Sequence, residues 1–180
     1  FLDYFPTLEV SFPHVSSLQW RQGALRVDMG PFLDYFPDLK ALDLSHNQLV
    51  TPPRLNYADL QRLDLADNRL SLTAENVVEI AGLSRLEVLR LSNNPALTLL
   101  PDISLMPELN VLDLQNTGIA DWPPGLFSTA RPPAFELNLM DNPISRIPPV
   151  TPGSEHARLI ARTRLSRVQL PGGCLRQFLD

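Results

Sequence analysis

Three histidines, one cysteine and a few close acidic pairs are the side chains whose types could support catalysis or metal binding. His14, His46 and His156 stand far apart, and none has a second histidine or cysteine at metal-ligand spacing. Cys174 has no histidine near it in the sequence to generate a thiolate, so a structural thiol is expected rather than a nucleophile. Asp64 and Asp67 are spaced for a strand and its following turn, where two solvated carboxylates are expected rather than an acid–base pair. No Gly-x-Ser-x-Gly, phosphate-loop or Gly-x-Gly-x-x-Gly pattern occurs. The expectation is therefore no catalytic residue, no metal ligand and no cofactor.

Asparagine is the residue type with informative spacing. It recurs at Asn47, Asn68, Asn94 and Asn142, with Thr117 in the equivalent place of one copy and Gly23 and Gly173 in two outlying ones. The intervals between successive positions are 24, 21, 26, 23, 25 and 31 residues. Each is the ninth position of a pattern, L-x-x-L-x-L-x-x-N-x-L, which has one extra residue before its last leucine, Leu97, in the copy that holds Asn94. Leu39 to Leu49 reads LKALDLSHNQL, and Leu60 to Leu70 reads LQRLDLADNRL. Further copies begin at Leu86, Leu109 and Ala134, and weaker ones at Val15 and Leu165. Pattern and period are those expected of leucine-rich repeats.

An amide side chain has two donors and an acceptor, so an inward asparagine can bond backbone groups of its own turn and the next. Left unpaired, each buried backbone group would cost about 1–3 kcal/mol. Asn47, Asn68, Asn94, Thr117 and Asn142 should thus form a structural ladder. Thr117, with one hydroxyl, is a partial rung, and the glycines are none.

The elements that must position this ladder follow from the leucines. The central L-x-L is a short strand with alternate side chains on opposite faces. One strand cannot bury its apolar face alone, but neighbours stacked about 4.8 Å apart share a core. The expected architecture is an α/β solenoid, curved and right-handed. Seven short parallel strands line its concave face, and irregular, 3₁₀ and short helical connections form its convex face. Residues 15–180 make up this domain of about seven repeats, the last atypical. Residues 1–14 are the end of a preceding repeat or an N-terminal cap; FLDYFP occurs both at Phe1 to Pro6 and at Phe32 to Pro37.

Two connections read as helices. Thr73 to Gly82 has Thr73 as cap and Val77, Ile80 and Ala81 inward. Ser154 to Thr163 has Ser154 as cap and Ala157, Ile160 and Ala161 inward, and it accounts for the 31-residue interval. Proline-broken stretches such as TPPRLNYAD and WPPGLF should be irregular or 3₁₀.

The outward strand positions carry the surface chemistry. The middle row reads Gln19, Asp43, Asp64, Arg90, Asp113, Asn138 and Gln169. Before it run Ser17, Ala41, Arg62, Val88, Val111, Glu136 and Arg167; after it run Arg21, Ser45, Ala66, Ser92, Gln115, Met140 and Pro171. One reading is a solvated face with internal ion pairs worth ~0–1 kcal/mol each. The other is a mixed-charge patch with apolar spots that receives a protein. Its residues would be Arg21, Asp43, Arg62, Asp64, Val88, Arg90, Val111, Asp113, Gln115, Asn138 and Met140. Arg158, Arg162, Arg164 and Arg167 cluster near the C-terminal end, either as a solvated helix face or as a contact for a neighbouring domain or acidic partner.

Composition narrows the classes. Hydrophobic residues at 44% and charged residues at 19% argue against disorder. Eighteen prolines in 180 residues well exceed the average usage of ~5% and suit short, stiff connections. A net charge of -5 disfavours nucleic acid. No apolar run approaches the ~20 residues of a membrane span. A single cysteine allows no internal disulfide and points to the cytoplasm or another reducing compartment, which includes a host cytosol reached by secretion. A first residue of Phe1 suggests part of a larger protein.

LSRLEVLRLSNNPAL, LNVLDLQNTGIADWPPGLF and ELNLMDNPISRIPP resemble the repeat regions of large bacterial effectors, including the novel E3 ubiquitin ligase type. That resemblance implies repeats that recognise a host protein and contact a separate catalytic domain of the same chain. The ligases of that family use a Cys-x-Asp motif, whereas Cys174 is followed by Leu175 and Arg176, so no catalytic role carries over. Three functions follow as expectations. The first is a protein-recognition module of a larger bacterial effector or toxin-like protein. The second is the substrate-recognition half of a ubiquitin ligase, and the third a structural or adhesive scaffold.

Overall fold

A computed structural model describes residues 11–23 and 29–166. Among these residues, six three-residue strands lie in one parallel sheet, in chain order. They are β1 (Ser17–Gln19), β2 (Ala41–Asp43), β3 (Arg62–Asp64), β4 (Val88–Arg90), β5 (Val111–Asp113) and β6 (Glu136–Asn138). Each is the centre of a motif copy, and the register aligns the copies: Leu18, Leu42, Leu63, Leu89, Leu112 and Leu137 face one another across the sheet. The sheet is open, and every connection returns the chain in the same direction.

The leucines build the core in two rows. Leu42, Leu63, Leu89, Leu112 and Leu137 form one, Leu44, Leu65, Leu91, Leu114 and Leu139 the other, and all ten are buried. Each contributes roughly 1.5–3 kcal/mol by leaving water. At the N-terminal end the core closes with aromatic rings. Phe12 stacks on Phe36 at 5.5 Å, and Phe32 meets Trp20 and Phe36 edge-on. The second FLDYFP copy thus supplies cap residues to the first strand, through the short helix α1 (Gly30–Leu33). Residues 1–10, with the first copy, lie outside the described residues.

Helix α2 (Ala74–Ala81) forms where the sequence indicates. Thr73 Oγ1 accepts from the Asn76 backbone N–H and the Asn76 side chain accepts from Thr73 N–H, a reciprocal cap. Ile80 is buried, Val77 and Ala81 half-buried, and Val78 points outward. Helix α3 (Glu155–Arg162) is capped by Ser154, which accepts from Ala157 N–H. Its inward residues are Leu159 and Ile160; Ala161, expected inward, is exposed. A 3₁₀ turn spans Ile103–Leu105.

The seventh repeat departs from expectation. Arg164 pairs with Asn138 as an isolated parallel bridge, and Leu139 N–H donates to Arg164 O at 2.8 Å. Arg164 therefore takes the middle-row place assigned to Gln169, five residues earlier than the leucine pattern suggests. The physical reason is α3. It ends at Arg162 and buries Ile160, so the chain re-enters the sheet at once. Arg167, Gln169, Pro171, Gly173 and Cys174 lie outside the described residues.

Candidate functional site

The candidate site is the exposed face of the sheet, and the ladder behind it holds its backbone. Asn94 is fully buried, its Nδ2 donating to Leu65 O, Leu91 O and Ser92 O at 2.9–3.2 Å, while its Oδ1 accepts from Leu70 N–H. Asn68 repeats the scheme with Leu44 O, Leu65 O, Ala66 O and Leu49 N–H. Asn47 and Asn142 do the same for their neighbours, with one difference. Where the preceding repeat has no asparagine at that position, the amide oxygen accepts from the backbone N–H of the residue there, Gly23 or Thr117. Thr117 Oγ1 sits 2.6 Å from Asn142 Oδ1 and 3.3 Å from Leu114 O, and it reaches no carbonyl of the turn before it. It is the partial rung its single hydroxyl implies.

A second row runs beside the ladder. Gln22, His46, Asp67, Asn93, Asn116 and Asp141, each just before a ladder position, adopt positive φ of 52–59°. Asn, Asp and His tolerate this left-handed conformation better than other side chains. They also bond across turns: Asn93 Nδ2 donates to Asp67 Oδ1 at 2.9 Å, and Asn116 Nδ2 to Asn93 Oδ1 at 3.0 Å. His46 Nδ1 lies 3.5 Å from Asp67 Oδ2, so this histidine and this aspartate serve the turns.

On the exposed face, register makes Asp43 and Asp64 lateral neighbours and seats Arg90 between Asp64 and Asp113. Their side chains do not all point at solvent. Asp43 Oδ1 accepts from the backbone N–H and hydroxyl of Ser45, and its Oδ2 takes Nε (2.7 Å) and Nη2 of Arg21. Burial opposes its ionisation, but the bonds from Arg21 and Ser45 outweigh this and hold its carboxyl below the ordinary range. Asp64, Asp113 and Asn138 likewise accept from the backbone N–H two residues on, at 3.1–3.3 Å. The middle row is thus partly a turn device that ends each strand. Arg90 cannot play that part and instead approaches Asp64 Oδ2 at 3.4 Å. Asp113 is joined by Asn138 Nδ2 at 2.9 Å, and Asn138 also reaches Gln115 Oε1.

Of the residues the sequence singles out, Asp43 and Asn138 are buried and spent internally. Arg21, Arg62 and Arg90 are exposed; Asp64, Val88, Val111, Asp113, Gln115 and Met140 are half-buried. These nine occupy neighbouring positions on one face. Among the described residues no group of three acidic, histidine or cysteine side chains could hold a metal ion, and no helix is long and apolar enough to cross a membrane.

On the connecting side, Arg131 carries a role its sequence context does not announce. Its guanidinium donates to four backbone carbonyls, those of Ile103, Met106, Gly125 and Leu126, at 2.8–3.3 Å. Burial lowers its pKa, opposed by nearby Asp102. Gly125 is required beneath it: at φ +78°, a Cβ there would fall 2.1 Å from Asp102 Oδ1. The loop from Gly125 to Pro133 and α3 frame a groove of about 700 Å³.

A family model described as Leucine Rich repeat matches residues 37–53, the copy that holds β2 and Asn47. No curated protein matches the sequence. Among solved structures, the chain is similar to an internalin C2 from Listeria monocytogenes strain 4b F2365. The two are 18% identical, with 87% of this chain and 80% of that one covered, at a TM-score of 0.38. Stacked parallel strands, two leucine rows and an asparagine ladder give the chain the fold of a leucine-rich-repeat solenoid.

Proposed function

We propose that the chain recognises a protein through the exposed face of its sheet and performs no chemistry of its own. The observation that carries this is the contrast between the two faces of the strands. One is filled with leucine, while the other keeps Arg62, Val88, Val111 and Arg90 in adjacent places, with Met140 beyond the end of β6 on the same face, on a backbone fixed by the ladder. A rigid, mixed-charge surface with apolar spots discriminates partners by charge pattern and contributes affinity through its apolar centre. The resemblance of its repeats to those of bacterial effectors supports a host protein as the partner. In the ligase form of this reading the chain selects the substrate, and residues outside 1–180 supply the transfer chemistry. A lone cysteine fits work in a reducing compartment, including a host cytosol.

Exchanging Asp64 and Arg90 tests the reading. The exchange keeps net charge, and it moves the aspartate-to-backbone turn bond from Asp64 to residue 90, where Ser92 N–H awaits an acceptor. Stability should change by less than about 1 kcal/mol. Affinity for a partner protein should fall at least about tenfold, because like charges then face each other across the interface. The matched control exchanges Arg85 and Glu108, an exposed pair 3.3 Å apart that precedes β4 and β5. If the control weakens binding and the sheet pair does not, recognition lies on the connecting side.

A further inference from the structure

Three arginines, Arg21, Arg62 and Arg90, surround a hollow of about 310 Å³ over β1 to β4. Small residues, Ser17 and Ala41, contribute to its lining. Two of the arginines have carboxylates: Arg21 holds Asp43, and Arg90 holds Asp64. Arg62 has none. Its neighbours in register are Ala41 and Val88, neither of which has a side-chain acceptor. The two aspartates of the next row are already committed, since each uses one oxygen on the turn N–H two residues ahead and the other on its arginine. The Arg62 side chain makes no hydrogen bond or ion pair with any described residue, and it is exposed on the face that the proposed function assigns to recognition.

A guanidinium with five donors and no acceptor among the described residues fits a planar acceptor with two oxygens, and a carboxylate receives it in two parallel bonds. The neighbouring places in the same row, Val88 and Val111, are half-buried and apolar. They stand one and two strands away from Arg62, about 4.8 and 9.6 Å at the usual strand separation. Side chains at i and i+2 of an extended segment are about 6.7 Å apart on one face. We propose that Arg62 receives an aspartate or glutamate of a protein partner, presented on an extended segment whose apolar residue two places along covers Val88 and Val111. This rests on the sheet-face reading and narrows it to an acidic-x-apolar partner.

The test is selection of a display library of random twelve-residue peptides on the immobilised chain, followed by affinity measurement on variants. Enriched peptides should carry Asp or Glu two places from a Leu, Ile, Val or Phe. Arg62→Gln and Arg62→Glu should each weaken them at least about tenfold, while Arg54→Glu, with the same charge change as Arg62→Glu but in a connecting segment, should leave them unchanged. Arg62 is exposed, so unaltered thermal melts should confirm that these variants fold. Enrichment of neutral or basic peptides, or acidic peptides that bind Arg62→Glu as well as wild type, overturns the proposal. Val111→Glu separates the two levels. If it abolishes binding that Arg62→Glu spares, the sheet face is the site and the carboxylate proposal alone fails. If neither substitution weakens binding, both fail.

Discussion

Replacing Asn94 with alanine is expected to lower the stability of the solenoid by about 2–3 kcal/mol, more than any exposed polar substitution on it. The side chain is completely buried and serves three carbonyls and one amide, drawn from two successive turns. Alanine leaves Leu91 O and Leu70 N–H without partners and takes one of two donors from Leu65 O and Ser92 O, which keep Asn68 Nδ2 and Asp67 N–H, and the loss falls between β3 and β4. Gln61→Ala, on an exposed side chain just before β3, should stay within roughly 0.5 kcal/mol. Urea melts of the two variants, compared at a common slope, measure the difference. Equal and negligible losses would mean that the amides do not hold the turns together.

The second large effect is expected at Arg131. Its guanidinium gathers carbonyls from the 3₁₀ turn and from the loop of the following repeat, and so ties two successive turns on the connecting side. Bonds to a charged donor are stronger than neutral ones, so Arg131→Ala should cost about 2–4 kcal/mol. Arg131→Lys should recover less than half, because an ammonium offers its donors from one point and cannot span four acceptors set around a planar fork. Full rescue by lysine in the same melts would show that charge alone matters there.

The two positions differ in how far the sequence announces them. Asn94 is legible because its chemistry and its spacing both repeat, and a period of leucines fixes which side of the strand is inward. The left-handed row carries a comparable signal: the residue before each ladder position is His46, Asp67, Asn93, Asn116 or Asp141, all types that accept positive φ. Arg131 carries none. Its partners are backbone carbonyls, which have no sequence signature, and they come from loops whose path no repeat dictates. The last repeat misleads for the opposite reason. Leu165, Val168 and Leu170 fit the leucine spacing better than Ile160, Thr163 and Leu165 do, yet burial of Ile160 and the end of α3 set the register. On the exposed face, sequence gives the neighbours in each row but not their commitments. Asp43 and Asn138 look like surface groups until their bonds to backbone and side chains are seen.

That the exposed sheet face is the recognition surface is the central claim, and hydroxyl-radical footprinting of the chain with and without a bound partner tests it most directly. Met140, Val88 and Val111 lie half-buried on that face, within reach of radicals in the free chain. Val78 on α2 and Leu105 in the 3₁₀ turn are 70% and 63% exposed on the connecting side, and they serve as internal references. The expected result is protection of Met140, Val88 and Val111 in the complex, with Val78 and Leu105 oxidised as before. Protection of Val78 or Leu105 with an unchanged rate at Met140, Val88 and Val111 would contradict it.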